Sequence, residues 1–379
     1  MRTTALPADP TQAMRSILKR IATGPELSKD LPQDEACAGM RLVLDGKVDP
    51  VQAAIFLIAL RMKRETDDEN RGVLDALREA TRQVIVPVEE LIDIGDPYDG
   101  YNRTLPATPF LPAVLAACGV AAVSHGVRSM GPKYGVTHHQ VLAAAGVATD
   151  LEPEQAAARL ADPRIGWTYI DQRQFAPRLY ALAGLRTLIV KRPVITTVEV
   201  LLGPLRGRVR THLVTGYVHK PYPRIYALLA RHAGFDSALI VRGVEGGVIP
   251  SLVTAGKVFH YHDGGAESET DFRPADLGIA QTVRAPRIPG ATDPDAADED
   301  HGAAPFDAAA VARLAADAGL AALEGRPGPT RDALVYGAAL CLWHLKRHGS
   351  LAAAADAVRA VLDSGRALER LGRIRAADG

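Results

Sequence analysis

The first eighty residues repeat one pattern four times: apolar positions every third or fourth residue, then a short polar break. Met14, Ile17, Leu18 and Ile21 make one helical face in residues 11–23, and Ala36, Met40, Val43 and Leu44 make another in residues 34–44, which Asp45-Gly46 closes. Asp49-Pro50 then offers a side-chain cap followed by a proline whose fixed φ suits a first helical turn. The helix it opens runs through Val51, Ile55, Phe56, Leu57 and Leu60 to Lys63, and a fourth starts near Thr66 and carries Val73, Leu74, Leu77 and Ala80. Four short helices with brief turns predict a small helical domain over residues 1–84.

The pattern changes at residues 84–97, where β-branched apolar residues mix with prolines as in a linker or a first strand. Beyond it, short apolar runs alternate with helical patterns. Helices are predicted at 111–118, 138–145, 155–160, 174–182 and 224–233, and strands at 120–124, 213–218 and 238–242. This strand–helix–strand rhythm predicts an α/β domain over residues 85–379 with a central, mostly parallel sheet covered by helices. The helices at 152–182 are expected to pack on the N-terminal domain. Residues 264–305 are acidic and rich in Pro, Gly and Asp, which predicts a long, partly disordered excursion. A helical tail is predicted at 307–371, as helices 307–323, 330–348 and 351–371.

Composition narrows the class without naming a function. The 379 residues carry 44 Lys and Arg against 44 Asp and Glu, so net charge favours neither a polyanion nor a polycation partner. Locally the balance is uneven. Residues 159–231 hold thirteen Lys or Arg and three Asp or Glu, and residues 260–307 hold three and eleven. Two readings stay open: mutual neutralisation, or a basic face for phosphates or nucleic acid. Cys37, Cys118 and Cys341 are far apart, which argues against a disulfide framework or a cysteine zinc site. No apolar leader and no run of about 18 apolar residues occurs, so the expected setting is the cytoplasm, away from membranes. His138-His139 is adjacent rather than helically spaced, so the pair does not suit one metal.

Several segments resemble the anthranilate phosphoribosyltransferase family. Ala54, Phe56, Leu57, Ala59, Leu60, Arg61, Lys63, Glu65 and Thr66 fit the packing pattern of its N-terminal helices, and Leu201-Leu202-Gly203-Pro204-Leu205 fits another structural stretch. The family's first phosphate loop, Gly-Thr-Gly-Gly-Asp-Gly, appears here as Gly95-Asp96-Pro97-Tyr98-Asp99-Gly100, and its Asn-x-Ser-Thr keeps only Thr108. Pro97 removes an N–H, Tyr98 adds bulk, and Asp96 is expected to place a negative charge where phosphates would sit. The second loop keeps His125, Gly126, Arg128, Ser129, Lys133 and Gly135. A cationic, glycine-bearing loop after a strand suits a phosphate, and simple turns are the alternative. Gln174-Phe175-Ala176-Pro177-Arg178 resembles the helix lining the family's aromatic acceptor pocket, which implies that Arg178 and Arg186 hold a carboxylate, unless they form a solvated helix face. The family's magnesium-binding Asp-Glu pair falls at Val248-Ile249, which cannot ligate a hard cation, and Glu245 is the nearby acid.

The resemblance implies a glycosyl or phosphoribosyl transferase fold, a phosphorylated partner such as phosphoribosyl diphosphate, and a homodimer through the N-terminal helices. The damaged first loop and missing carboxylate pair lead us to expect an altered substrate and no standard tryptophan-pathway activity. The alternative is a nucleic-acid-binding homodimer with a vestigial site. Gly95, Asp99, Gly100, Thr108, His125, Gly126, Arg128, Ser129, Lys133, Arg178 and Arg186 are the candidate phosphate or substrate residues. No residue receives a catalytic role, and magnesium is implied only by the resemblance.

Overall fold

The computed structural model describes residues 6–24, 26–289 and 306–378. It opens with four helices, α1 (Pro10–Ile21), α2 (Gln33–Leu44), α3 (Pro50–Lys63) and α4 (Asp67–Glu79). Their starts carry the local chemistry that the sequence advertises. Asp9 and Asp49 accept backbone N–H groups from Gln12 and Val51, each with a proline next in the chain. Thr66 and Glu69 cap α4 reciprocally. Glu69 is fully buried, and its carboxylate is answered by Lys63 at 2.8 Å and the Leu31 N–H at 2.8 Å. The helices α2 and α4 approach so closely that a Cβ on Gly72 would lie 2.2 Å from the Gln33 carbonyl oxygen.

Nine strands follow among the described residues: β1 (Val84–Val86), β2 (Glu90–Gly95), β3 (Ala122–Gly126), β4 (Trp167–Asp171), β5 (Leu205–Gly207), β6 (Arg210–Gly216), β7 (Ser237–Val241), β8 (Gly256–His262) and β9 (Ser268–Phe272). Seven form one sheet in the order β4-β3-β2-β6-β7-β8-β9, and β1 pairs with β5 separately. The run from β4 to β7 is parallel, and β8 and β9 add an antiparallel edge. The parallel strands β3, β4 and β7 are buried throughout, which is why they read as short continuous apolar runs.

The helices α5 (Leu111–Ala117), α6 (His138–Ala144), α7 (Pro153–Ala161), α8 (Gln172–Phe175), α9 (Pro177–Tyr180), α10 (Ala183–Ile189), α11 (Ile195–Val198) and α12 (Tyr222–His232) lie between the strands. A tail of α13 (Ala308–Leu323), α14 (Pro329–His344), α15 (Leu351–Asp363) and α16 (Arg366–Asp378) completes the fold. Two apolar clusters result. One joins α5, α6 and the tail through Phe110, Trp167, Leu340 and Leu362. The other joins the N-terminal helices to the sheet and includes Phe56, Leu60, Ala156, Leu160, Phe175 and Leu213. The helix α10 packs on α3.

Three expectations need correction. Residues 174–182 are not one helix: Ala176, at φ −140°, separates α8 from α9, because Pro177 disfavours helical geometry in the residue before it. Residues 351–371 are broken after Asp363, where Gly365 takes φ +72°. The acidic excursion is folded over 268–272 as β9, whose Glu269 and Asp271 sit on an exposed sheet edge and discourage further strand pairing. Residues 290–305 of that excursion lie outside the described residues. Among the described residues, no helix is long and apolar enough to cross a membrane.

Candidate functional site

A cleft opens past the carboxyl ends of the central strands β2 and β6, where the parallel topology places helix starts and loops together. Gly95 ends β2, with Tyr98 and Asp99 in the loop after it, and Gly216 ends β6, with Tyr217 and His219 in the loop after it. Arg61 near the end of α3, Thr196 and Thr197 on α11, Tyr222 and Tyr226 on α12, and Glu245 complete the wall with Arg192. The helical bundle and the sheet domain therefore share the cleft.

The first loop is built differently from the sequence expectation. Asp96 does not face the cleft. It is buried and accepts three hydrogen bonds: from the Tyr101 hydroxyl at 2.7 Å, His138 Nε2 at 2.9 Å and the Val248 N–H at 3.1 Å. These donors satisfy its oxygens within the protein, away from the cleft wall. Asp99 lines the cleft together with Glu245, and Arg192 neutralises Asp99 through two nitrogens at 2.9 and 2.7 Å. Arg192 was not foreseen, because nothing within its own segment points to a partner 93 positions away. Arg61 was read as packing, yet it lines the same cleft and sits 5.7 Å from the centre of the Tyr222 ring.

The two loops after β2 and β3 do meet. Tyr101 and Val136 exchange backbone hydrogen bonds of 2.9 and 2.6 Å, and the Gly135 N–H reaches the Asp99 carbonyl at 2.8 Å. Gly100, at φ +74°, presses so close that a Cβ would lie 2.6 Å from the Val136 carbonyl oxygen. Glu245 fastens both loops to the segment after β7. Its carboxylate accepts the Asn102 and Arg103 N–H groups at 3.1 Å each, the Thr104 hydroxyl at 2.8 Å and Lys133 Nζ at 2.7 Å. Burial acts to raise the Glu245 pKa, but Lys133 and these donors outweigh it and hold the carboxyl below its ordinary value. Glu245 has φ +54°, a strained conformation for a residue with a side chain. Lys133 is thereby committed to protein, and also lies 5.5 Å from the Tyr101 ring centre.

His125 is fully buried within a chain of three groups. The Tyr98 hydroxyl lies 2.5 Å from His125 Nδ1, and His125 Nε2 lies 2.7 Å from Asp93 Oδ1. Burial, with Glu199 and Asp93 nearby, pushes the Tyr98 phenol well above its usual range. It therefore donates to Nδ1, and His125 donates onward to Asp93.

The remaining candidates scatter. Gly126 ends β3 in the interior, while Arg128 and Ser129 are exposed and are not part of the cleft wall. Thr108 is buried in a 3-10 turn, 3.5 Å from the Tyr101 hydroxyl. Arg178 is exposed and pairs with Asp45 at 2.8 Å. Arg186 is buried and bonded to Glu199 at 2.6 and 2.7 Å, so it is neither a solvated helix face nor open to an acceptor. Val248 and Ile249 belong to the apolar core. The basic excess of residues 159–231 is also dispersed. Arg173 pairs with Asp150, Arg208 with Glu89, Arg224 with Asp67 and Arg231 with Glu267, on separate elements.

A magnesium ion held by carboxylates does not fit this arrangement. Asp96 and Glu245 are satisfied by protein donors, and Asp99 is paired with Arg192. A hard cation needs several free oxygens, and this set does not present them.

Sequence comparisons agree with the architecture. Residues 15–81 match the model of the glycosyl transferase family, helical bundle domain, and residues 99–368 match its a/b domain. An uncharacterized protein of Aquifex aeolicus is 32% identical over 59% of this chain and 65% of its own length. An anthranilate phosphoribosyltransferase of Anaeromyxobacter sp. (strain K) is 30% identical over 92% of this chain and 95% of its own. The solved structure of anthranilate phosphoribosyltransferase from Saccharomyces cerevisiae in complex with PRPP and Mg superposes with a TM-score of 0.72 at 16% identity, over 96% of this chain and 97% of the other. With both family domains matched in order, and the larger spanning residues 99–368, the chain belongs to the anthranilate phosphoribosyltransferase-like glycosyl transferase family.

Proposed function

We propose that the chain transfers a pentosyl group from a phosphorylated donor, phosphoribosyl diphosphate or a close analogue, to an acceptor other than anthranilate. The observation that supports this most is Arg192 on Asp99 beside Arg61, two guanidinium groups at the carboxyl ends of β2 and β6. Transfer of this kind builds negative charge on the departing diphosphate and positive character on the sugar. Arg192, half-exposed on its fixed partner Asp99, and Arg61, which lies 3.7 Å from Glu65, present guanidinium groups to the cleft that neutralise part of the first. The yeast relative, solved in complex with PRPP and Mg, supports the class of donor. In this chain the protein cations take over part of the metal's work. Calorimetric titration with phosphoribosyl diphosphate is expected to give binding that changes little when magnesium is withheld. Arg192→Ala and Arg61→Ala are each expected to weaken it by roughly tenfold or more, the scale of a hydrogen bond to a charged group. Unchanged affinity in both variants would place the donor elsewhere.

The same reading includes a homodimer through α3. Phe56, Leu57 and Leu60, part of the face first expected to pair, are buried inside the bundle. An outward stripe remains, with Val51 at 66%, Ile55 at 37% and Met62 at 72% exposure and Ile58 half-buried between them. These positions recur at helical spacing, as an interface stripe does. Light scattering at micromolar concentration is expected to give twice the chain mass, and Ile55→Glu with Met62→Glu the single mass. A monomeric parent protein rules the dimer out.

A further inference from the structure

We propose that His260, His262 and His344 form a binding site for a divalent transition ion, zinc first, with water in the fourth position. His260 and His262 project from one face of β8, and His344 comes from the last turn of α14. One ring nitrogen from each lies within 4.8 Å of the other two. The rings of His262 and His344 stack with centres 4.4 Å apart, and His260 lies 5.7 and 6.0 Å from them.

The hydrogen bonds around the cluster assign the free lone pairs. His344 Nε2 lies 2.8 Å from the Ser237 hydroxyl, which in turn lies 2.8 Å from His212 Nδ1. His260 Nε2 lies 3.1 Å from the Thr270 hydroxyl. The Nδ1 atoms of His344 and His260 are buried without a hydrogen-bond partner. A buried lone pair without a donor is unfavourable, and a metal ion removes the deficit. The arrangement is that of ligating imidazoles, in which the other ring nitrogen donates to a fixed oxygen and so sets the tautomer. Burial lowers the basicity of all three rings and Lys346 adds to it; neighbouring imidazoles lower it further at His260 and His344, while Asp263 works the other way at His262.

Three imidazoles with one open position suit zinc, cobalt or nickel better than magnesium. A tetrahedral ion with bonds of about 2.0–2.1 Å wants nitrogens roughly 3.3 Å apart, which requires the rings to close in modestly. His260 and His262 are only half-buried and have room to turn. Lys346 opposes a cation, but it is exposed, and water and salt screen it. The site is separate from the transferase cleft. His262 pairs with Ser237 at the amino end of β7, whereas the cleft lies past the carboxyl ends of the sheet. A bound ion would staple the antiparallel edge of the sheet to the carboxyl-terminal helices.

The test uses the full chain without an affinity tag, stripped with a chelator and then dialysed. Zinc titration is expected to show one equivalent bound with micromolar affinity and a raised melting temperature. Cobalt in place of zinc is expected to give the visible absorption of a four-coordinate ion. His262→Ala, at a half-buried position, is expected to keep its circular dichroism spectrum and weaken zinc binding by roughly a hundredfold, beyond the tenfold or more lost with outer partners. Thr270→Val is expected to weaken it by roughly tenfold. The proposal is overturned if the parent chain binds no zinc below millimolar concentration, or if His262→Ala binds it unchanged.

Discussion

Supplied with anthranilate, phosphoribosyl diphosphate and magnesium, the purified chain is expected to consume anthranilate at least about a thousandfold more slowly than an ordinary enzyme rate of roughly 10 per second. Val248 and Ile249, where the resemblance would put the family's metal-binding pair, are part of the core. The acids that remain nearby are committed to protein donors and cations. A diphosphate leaving group is then met by protein cations and not by a carboxylate-held metal, and this applies to every acceptor alike. The loss specific to anthranilate lies on the acceptor side: Arg178 is tied to Asp45 and Arg186 to Glu199, so the two arginines that the resemblance assigns to the acceptor carboxylate are committed elsewhere. Two missing charge-assisted hydrogen bonds of roughly 2 kcal/mol each amount to about a thousandfold in rate. Loss of anthranilate fluorescence is the measurement. Turnover near ordinary rates would mean that the carboxylates rearrange to take a metal, and the proposed change of substrate would fall.

Arg186→Ala is expected to destabilise the chain by about 3–5 kcal/mol, the usual result of stranding one member of a buried ion pair. Both side chains are 1% exposed, and the pair is bidentate. Glu199 also accepts from Gln172 at 3.3 Å, but one neutral amide cannot replace a guanidinium. The double variant Arg186→Met/Glu199→Leu is expected to recover most of the loss, because no unpaired charge remains. Urea unfolding followed by circular dichroism at one pH compares the three proteins. A loss under about 1 kcal/mol in the single variant would show that water reaches Glu199. The same pair holds α10 to the turn after α11, whose Thr196 and Thr197 line the cleft, so the variant reports on the wall as well as on stability.

Much of the fold was legible because its signals are local. Asp49-Pro50 and the Thr66 to Glu69 capping box announce their helices within four residues. The buried strands β3 and β7 read as short apolar runs for the same reason. The edge strand β9 was missed because Glu269 and Asp271 make it look like a solvated loop. The site was less legible because its contacts are long-range. Asp96 occupies a phosphate-loop position, and only the arrival of His138 and Tyr101 turns it inward. Glu245 reads only as a nearby acid because its donors come from residues 102–104 and 133. His260 and His262 show strand spacing, but His344 joins them from a helix more than 80 positions on.

The Glu245 carboxylate also limits how this chain can change. It is shared by the loop after β2, the loop after β3 and the segment after β7, so a substitution in one is felt by the other two. Lys133 replaced alone leaves a buried acid without its cation, and Glu245 replaced alone frees that cation and two backbone donors. Single substitutions at these positions therefore pass through damaged intermediates, whereas the exposed stretch around His219 can vary without touching the knot. Substitution is least constrained along the rim of the cleft, while the groups gathered on Glu245 behave as one unit.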